Sequence, residues 1–136
     1  MGSMNSTVKK FFVASLIYFV LGLLAQTLAV LDVWLGLNPF AYTAVTATEQ
    51  IFLVGWLTQL ALALIYDRWL PGASYGTVVF VLLNLGLPLV IVGQPGVAVW
   101  GGVWIGVLAG LGALLQLFAG IIFVWEAWRF SGTGHP

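Results

Sequence analysis

The fold is decided by residues 99–125, which read VWGGVWIGVLAGLGALLQLFAGIIFVW and contain no charged side chain. A helix that crosses a bilayer with a hydrocarbon core about 30 Å thick needs roughly 20 such residues. Three further apolar segments fall within the length range of such helices, at residues 11–31, 50–66 and 75–92. Their apolar residues are continuous, whereas the strands of a β-barrel alternate polar and apolar residues. The sequence therefore predicts an all-α integral membrane protein, with four transmembrane helices in an antiparallel bundle.

The composition of the whole chain agrees with this assignment. Only 6% of the 136 residues are charged and 62% are hydrophobic, whereas a soluble domain carries about 25% charged residues. A disordered chain would need low hydrophobicity, and a nucleic-acid binder would need a basic surface. The absence of cysteine excludes disulfides and thiolate metal sites. We therefore expect one transmembrane domain, residues 1–136, whose surroundings are the lipid bilayer and which has no nucleic-acid partner.

The basic residues predict the orientation of the bundle. Lys9 and Lys10 precede the first predicted span, Arg68 follows the second and Arg129 follows the fourth. Four crossings place all four cations on one side of the membrane, which the positive-inside rule makes cytoplasmic. We therefore expect both termini in the cytoplasm, and the protein in the inner membrane of a bacterial cell.

Glycine and proline predict the turns between the spans. The segments 32–48 and 67–74 are expected to be loops, and Gly93-Gln94-Pro95-Gly96 is expected to be a tight turn. Within the third span, Pro88 removes a backbone donor and clashes with the carbonyl of Asn84, which predicts a kink there.

Small residues organise helix contacts in lipid, where little hydrophobic force acts between helices. The fourth span carries two four-residue series of this kind. One is Gly102, Gly106 and Gly110, and the other is Gly112, Gln116 and Gly120. Both series are consistent with packing inside the bundle. Alternatively, one series contacts another subunit, in a homo- or hetero-oligomer, or a flat cofactor.

Polar side chains inside the spans are the candidates for ligand binding. The deepest are Gln59, Asn84 and Gln116, and such groups need hydrogen-bond partners in hydrocarbon. Interhelical hydrogen bonds would satisfy them. The alternative is a polar pocket, for example for a quinone headgroup.

The ionisable residues near the span ends have two interpretations. Glu49 precedes the second span, where it either helps to cap the helix after Thr48 or serves as a proton or ion group. Glu126 and Arg129 are expected to form an interfacial ion pair. Aromatic rings near the ends of the spans, Tyr66 among them, are expected to anchor the bundle at the headgroups.

The spans lack the residues that catalysis and metal binding need. They contain no histidine, cysteine, methionine or lysine, the side chains that would hold haem, copper or zinc. No nucleotide-binding loop or catalytic triad is visible. We therefore expect no catalytic residue, no metal site and no bound cofactor, and a protein that is not an enzyme.

Four stretches of the chain carry a likeness to a known family. They are residues 11–22 of the first span, the segment Thr48-Glu49-Gln50-Ile51-Phe52-Leu53-Val54-Gly55-Trp56, and Asn84-Leu85-Gly86 with the closing VWEAWR of residues 124–129. Together they resemble the first four helices of the large subunit of haem–copper oxidases, in particular the nitric oxide reductase-like branch. In that family a histidine on the second helix ligates the low-spin haem. Here Thr48 and Gln50 occupy the matching positions, so the resemblance implies a shortened relative without that ligand.

The sequence leaves three functions to be weighed. The first is a non-catalytic accessory or interaction subunit of a membrane complex, such as one that transfers electrons. The second is a binding module for a quinone, haem or lipid, held by Gln59, Asn84 and Gln116. The third is a small oligomeric transporter or channel with Glu49 as its coupling group.

Overall fold

Four helices make up the described part of the chain. The computed structural model describes residues 5–35 and 41–132, apart from the side chains of residues 33, 41–44 and 98. Helix α1 is Ser6–Leu35, α2 covers residues 41–68, α3 is Gly76–Trp100 and α4 is Val103–Gly132. Each contains a segment long and apolar enough to cross a membrane. The prediction of an all-α protein with four candidate spans is confirmed.

Helix α2 changes its hydrogen-bond pattern in the middle. It is α-helical over Ala41–Gln50, π-helical over Ile51–Thr58 and α-helical again over Gln59–Arg68. A π-helix is wider than an α-helix, and π-helical segments are frequent at functional sites. Here two close contacts with α1 accompany the wide segment. A Cβ atom on Gly55 would lie 2.7 Å from the Tyr18 ring, and one on Gly22 would lie 2.9 Å from the Phe52 ring.

The helices are packed antiparallel to their neighbours along the chain. Phe11 stacks on Tyr66, whereas Phe19, further along α1, contacts Trp56, earlier in α2. The start of α1 reaches the start of α3, where the Thr7 and Thr77 hydroxyls lie 3.2 Å apart. Within their most apolar windows, 33% of α2 and 39% of α3 residues are buried, against 11% for α1 and α4. Helices α2 and α3 therefore form the centre of the bundle and α1 and α4 its flanks.

Glycines bring α3 and α4 into close contact. A Cβ atom on Gly86 would lie 2.7 Å from the carbonyl oxygen of Gly112. A Cβ atom on Gly112 would likewise lie 2.7 Å from the carbonyl oxygen of Gly86. Nearer the other end, a Cβ atom on Gly93 would lie 2.7 Å from that of Ala109. Small residues thus let the two backbones approach where side chains would hold them apart.

The tight turn predicted at Gly93-Gln94-Pro95-Gly96 is wrong, because α3 continues through this segment to Trp100. The turn falls instead at Gly101, whose φ of 53° is a left-handed conformation that glycine adopts readily. Gly93 and Gly96 face α4 at close range. We attribute the persistence of the helix to this packing, which outweighs the local effect of the proline and the two glycines.

The predicted loop 32–48 is also too long. Helix α1 extends to Leu35 and α2 begins at Ala41, and residues 36–40 lie outside the described residues. Thr48 and Glu49 are consequently inside a helix rather than at its start. The predicted cap is therefore wrong, because these residues have no free first-turn N–H groups to satisfy.

Candidate functional site

A groove lies between the second half of α2 and the middle of α4, with α3 as its floor. Its volume is about 440 Å³. Val79 and Leu83 of α3 are buried at its base, while Leu57 and Gly120 on its walls are exposed, so the groove reaches the outer surface of the bundle. Its lining residues are Val54, Leu57, Thr58, Ala61, Leu62, Ile65, Val79, Leu83, Gln116, Ala119, Gly120 and Phe123.

The groove is almost entirely apolar, and two of its lining residues carry polar side chains. The Thr58 hydroxyl donates a 2.6 Å hydrogen bond to the carbonyl oxygen of Leu53, so its proton is already used. The Gln116 amide makes no hydrogen bond within the described part of the chain, and its Nε2 atom is buried. A buried donor without a partner is destabilising by about 1–3 kcal/mol. Gln116 is therefore the polar group in the groove that needs a partner.

The other two predicted ligand-binding residues bind each other. Gln59 Nε2 donates to Asn84 Oδ1 at 3.1 Å, and Asn84 Nδ2 donates to Gln59 Oε1 at 3.2 Å. Asn84 Nδ2 also donates to the carbonyl oxygen of Phe80 at 2.8 Å. Gln59 is fully buried. This reciprocal pair joins α2 to α3, and neither residue lines the groove.

The two glycine series of α4 lie in different surroundings. Gly112 packs on Gly86 of α3, and the next members of its series, Gln116 and Gly120, line the groove. In the first series, Cβ atoms added to Gly102 and Gly106 would have described neighbours at 3.9 and 3.8 Å, and one added to Gly110 would have none within 4 Å. The face of the first series is therefore lightly covered, with described neighbours at van der Waals distance for Gly102 and Gly106 and none for Gly110.

Glu49 is exposed and lies within the candidate span Val45–Arg68, near its first turn. It is not among the residues that line the groove. Nearby, the Oε1 atom of Gln50 is buried without a described hydrogen-bond partner.

Glu126 forms a buried cluster that the sequence interpretation missed. Its side chain is 3% exposed, and it accepts hydrogen bonds from the Tyr66 hydroxyl at 2.9 Å and from the Tyr75 backbone N–H at 2.8 Å. The Arg129 guanidinium lies instead over the Trp125 ring, 4.8 Å from its centre. The expected ion pair between Glu126 and Arg129 is therefore wrong, and so is the anchoring position expected for Tyr66, which is buried.

The π-helical segment is the second feature that the sequence interpretation missed. Val54, Leu57 and Thr58 belong to it and line the groove. The segment IFLVGWLT has no local feature that separates it from an apolar α-helix. Its buried residues are Ile51 and Gly55, a spacing that an α-helix shows as well.

Residues 5–35 and 41–132 contain no cluster of three or more His, Cys, Asp or Glu side chains that could hold a metal ion. Comparisons with known proteins add no relative: no family model, no curated protein and no solved structure matches this chain. Its function is therefore inferred from the groove and from the surface of the bundle.

Proposed function

We propose that this chain is a non-catalytic four-helix membrane protein that binds a lipophilic ligand in the groove between α2 and α4. The observation that carries the proposal is the Gln116 amide, which lies at an apolar groove and has no hydrogen-bond partner in the described chain. Ligand sites are typically apolar concavities with a few polar groups that fix orientation.

The size of the groove supports this proposal. Small-molecule sites have volumes of about 300–1,000 Å³, and the groove holds about 440 Å³. Its exposed wall gives a ligand dissolved in the bilayer a lateral route in. The floor formed by Val79 and Leu83 is 1% and 6% exposed, so a bound molecule would contact well-packed side chains.

The experiment is to purify the protein in a mild detergent, extract it with organic solvent and identify the bound molecules by mass spectrometry. Gly120→Leu places a branched side chain in the groove, and we expect it to lower the amount of bound ligand at least fivefold. Gly110→Leu adds the same side chain on the same helix, outside the groove, and serves as the matched control. A wild-type protein that carries no lipophile and takes up none when it is offered would contradict the proposal.

A second candidate function is an accessory subunit that assembles with another membrane protein. The supporting observation is the lightly covered face of Gly102, Gly106 and Gly110, because small residues at this spacing allow close helix contact in lipid. The resemblance to haem–copper oxidase large subunits suggests an electron-transfer complex as the setting, and this part rests on that resemblance alone.

Co-purification from native membranes tests the second function. Gly106→Leu and Gly110→Leu are expected to release a partner subunit, whereas Gly120→Leu should retain it. An isolated monomer from gently solubilised membranes would remove this candidate. The two functions therefore predict opposite effects of the same three variants.

The orientation is part of the proposal. Lys9, Lys10, Arg68 and Arg129 are exposed, and they belong to helix ends that the Thr7–Thr77 and Tyr75–Glu126 contacts hold together. By the positive-inside rule this end faces the cytoplasm, in what we propose is a bacterial inner membrane.

A further inference from the structure

We infer that the groove holds one acyl chain of an anionic phospholipid, whose headgroup lies beside Arg68 and Trp69 at the end of the bundle that carries the cations. This inference rests on the proposed function and adds the chemical class of the ligand. It follows from the length of the groove, from its apolar lining and from the side chains at its end.

The length of the groove matches the depth of one leaflet. Its α2 wall extends from Val54 to Ile65, which is about 16 Å along the helix axis at 1.5 Å per residue. Half of a hydrocarbon layer about 30 Å thick is about 15 Å. Helix α2 ends at Arg68, three residues after Ile65, so the groove runs from the middle of the span to the helix end. An acyl chain that lies along α2 would therefore fill the groove without leaving its leaflet.

The walls of the groove suit a hydrocarbon chain that enters from the side. Apart from Thr58 and Gln116, the lining residues are apolar. Leu57 and Gly120 on the two walls are exposed, so a chain can enter between α2 and α4 while its headgroup stays at the membrane surface. A lipid tail thus reaches the buried floor without moving a charge into hydrocarbon, which would be costly.

Two polar side chains lie where the headgroup would be. Arg68 and Trp69 follow Ile65 by three and four residues, a spacing that places side chains on the same face of a helix. The helical register holds to this point, because the Trp69 backbone N–H donates to the Ile65 carbonyl oxygen at 2.9 Å. Both side chains are exposed. A guanidinium can bind two phosphate oxygens at once, and an indole N–H is a donor that favours headgroup depth.

The charges at this end favour an anionic headgroup over a zwitterionic one. Arg68 makes no ion pair within the described part of the chain, whereas Arg129 lies over an aromatic ring. Of the carboxylates nearby, Glu126 is buried and already accepts two hydrogen bonds. Asp67 is adjacent to Arg68 in sequence, and side chains at that spacing do not face each other on a helix. The Arg68 charge is therefore available to a lipid phosphate.

The test compares two lipids that share their acyl chains and differ in headgroup charge, palmitoyl-oleoyl phosphatidylglycerol and palmitoyl-oleoyl phosphatidylcholine. Native mass spectrometry of the wild-type protein in micelles with equal amounts of both measures how much of each is retained. We expect about fivefold more of the anionic lipid, the preference that one basic side chain near the membrane surface supplies. Arg68→Gln should abolish this preference. Arg129→Gln removes the same charge from the same end, outside the groove, and should keep it.

Photocrosslinking locates the acyl chain. A phosphatidylglycerol with a diazirine near the end of one chain should label residues that line the groove. Gly120→Leu should lower this labelling at least fivefold, and Gly110→Leu should not. Equal retention of the two lipids by the wild type, or labelling that Gly120→Leu leaves unchanged, would overturn the inference. The proposed function would still stand if solvent extraction found another lipophile that Gly120→Leu removes, and it would fall with the inference if extraction found none.

Discussion

At the scale of single residues, the bundle satisfies most of its buried polar groups in pairs. Gln59 and Asn84 exchange hydrogen bonds, and Glu126 accepts from Tyr66 and Tyr75. In hydrocarbon there is no water to form hydrogen bonds with such groups. Gln50 and Gln116 depart from this pattern, because each has a buried amide atom without a described partner. Of these two, Gln116 lines the groove.

Tyr66→Phe tests the energetic role of the Glu126 cluster. The change leaves the buried Oε2 atom of Glu126 without its hydroxyl donor, so we expect the free energy of unfolding to fall by about 1–3 kcal/mol. Tyr18→Phe is the control, because the Tyr18 hydroxyl makes no hydrogen bond with the described residues, and a change within about 0.5 kcal/mol is expected. The measurement is reversible unfolding in micelles. Equal losses in the two variants would show that the Tyr66 hydrogen bond adds nothing.

Sequence patterns predicted these polar residues unevenly. The positions of Gln59, Asn84 and Gln116 in apolar segments were enough to select them as polar groups inside the bundle, where Gln59 is buried and the other two are partly buried. Which two would pair depends on the register between α2 and α3, and the sequence does not encode that register locally. Glu126 was misassigned because Arg129 stands three residues later, a spacing typical of helical ion pairs, whereas its partners come from residues 66 and 75.

At the scale of helices, glycine position decides how close two backbones approach. Gly110 and Gly112 are two residues apart on α4, yet one is uncovered and the other lies against the backbone of α3. The two residues are both glycine, so the residue type alone does not show that their environments differ.

Alanine substitutions at these two glycines should therefore change stability in opposite directions. Gly112→Ala would place a Cβ atom 2.7 Å from the Gly86 carbonyl oxygen, and we expect a loss of about 1–3 kcal/mol because the backbones must separate. Gly110→Ala meets no neighbour and should stabilise the helix by about 0.5–1 kcal/mol. Unfolding of the two variants in the same detergent measures both effects. A stabilised Gly112→Ala protein would be inconsistent with the close α3–α4 contact.

The helix boundaries and the π-helix mark the limit of sequence interpretation at this scale. Apolar length located four helices, because the bilayer imposes a minimum span. Pro95 with its neighbouring glycines looked like a turn because that signal is local, whereas the contact of Gly93 with Ala109 is made across the bundle. The π-helix of residues 51–58 depends on how α1 and α2 fit together, and no residue in the segment predicts it.

At the scale of the whole molecule, the absence of cysteine makes orientation directly measurable. We expect Ser74→Cys and Ser131→Cys to be protected in intact cells from a membrane-impermeant maleimide, and Val103→Cys to react. The reason is that residues 74 and 131 lie at the end of the bundle that carries the cations, and residue 103 lies at the other. Reaction of Ser131→Cys in intact cells, with protection of Val103→Cys, would reverse the proposed orientation. Labelling after lysis controls for accessibility.

The proposed lipophile-binding role also determines where the ligand would come from. In a membrane the exposed wall of the groove would face the acyl chains, so molecules would arrive by diffusing sideways in the plane of the membrane instead of from the aqueous phase. Occupancy would then follow the mole fraction of the compound among the surrounding lipids. Diluting the vesicles in buffer would leave the bound fraction unchanged, whereas adding more phospholipid per protein, at a fixed amount of compound, would lower it.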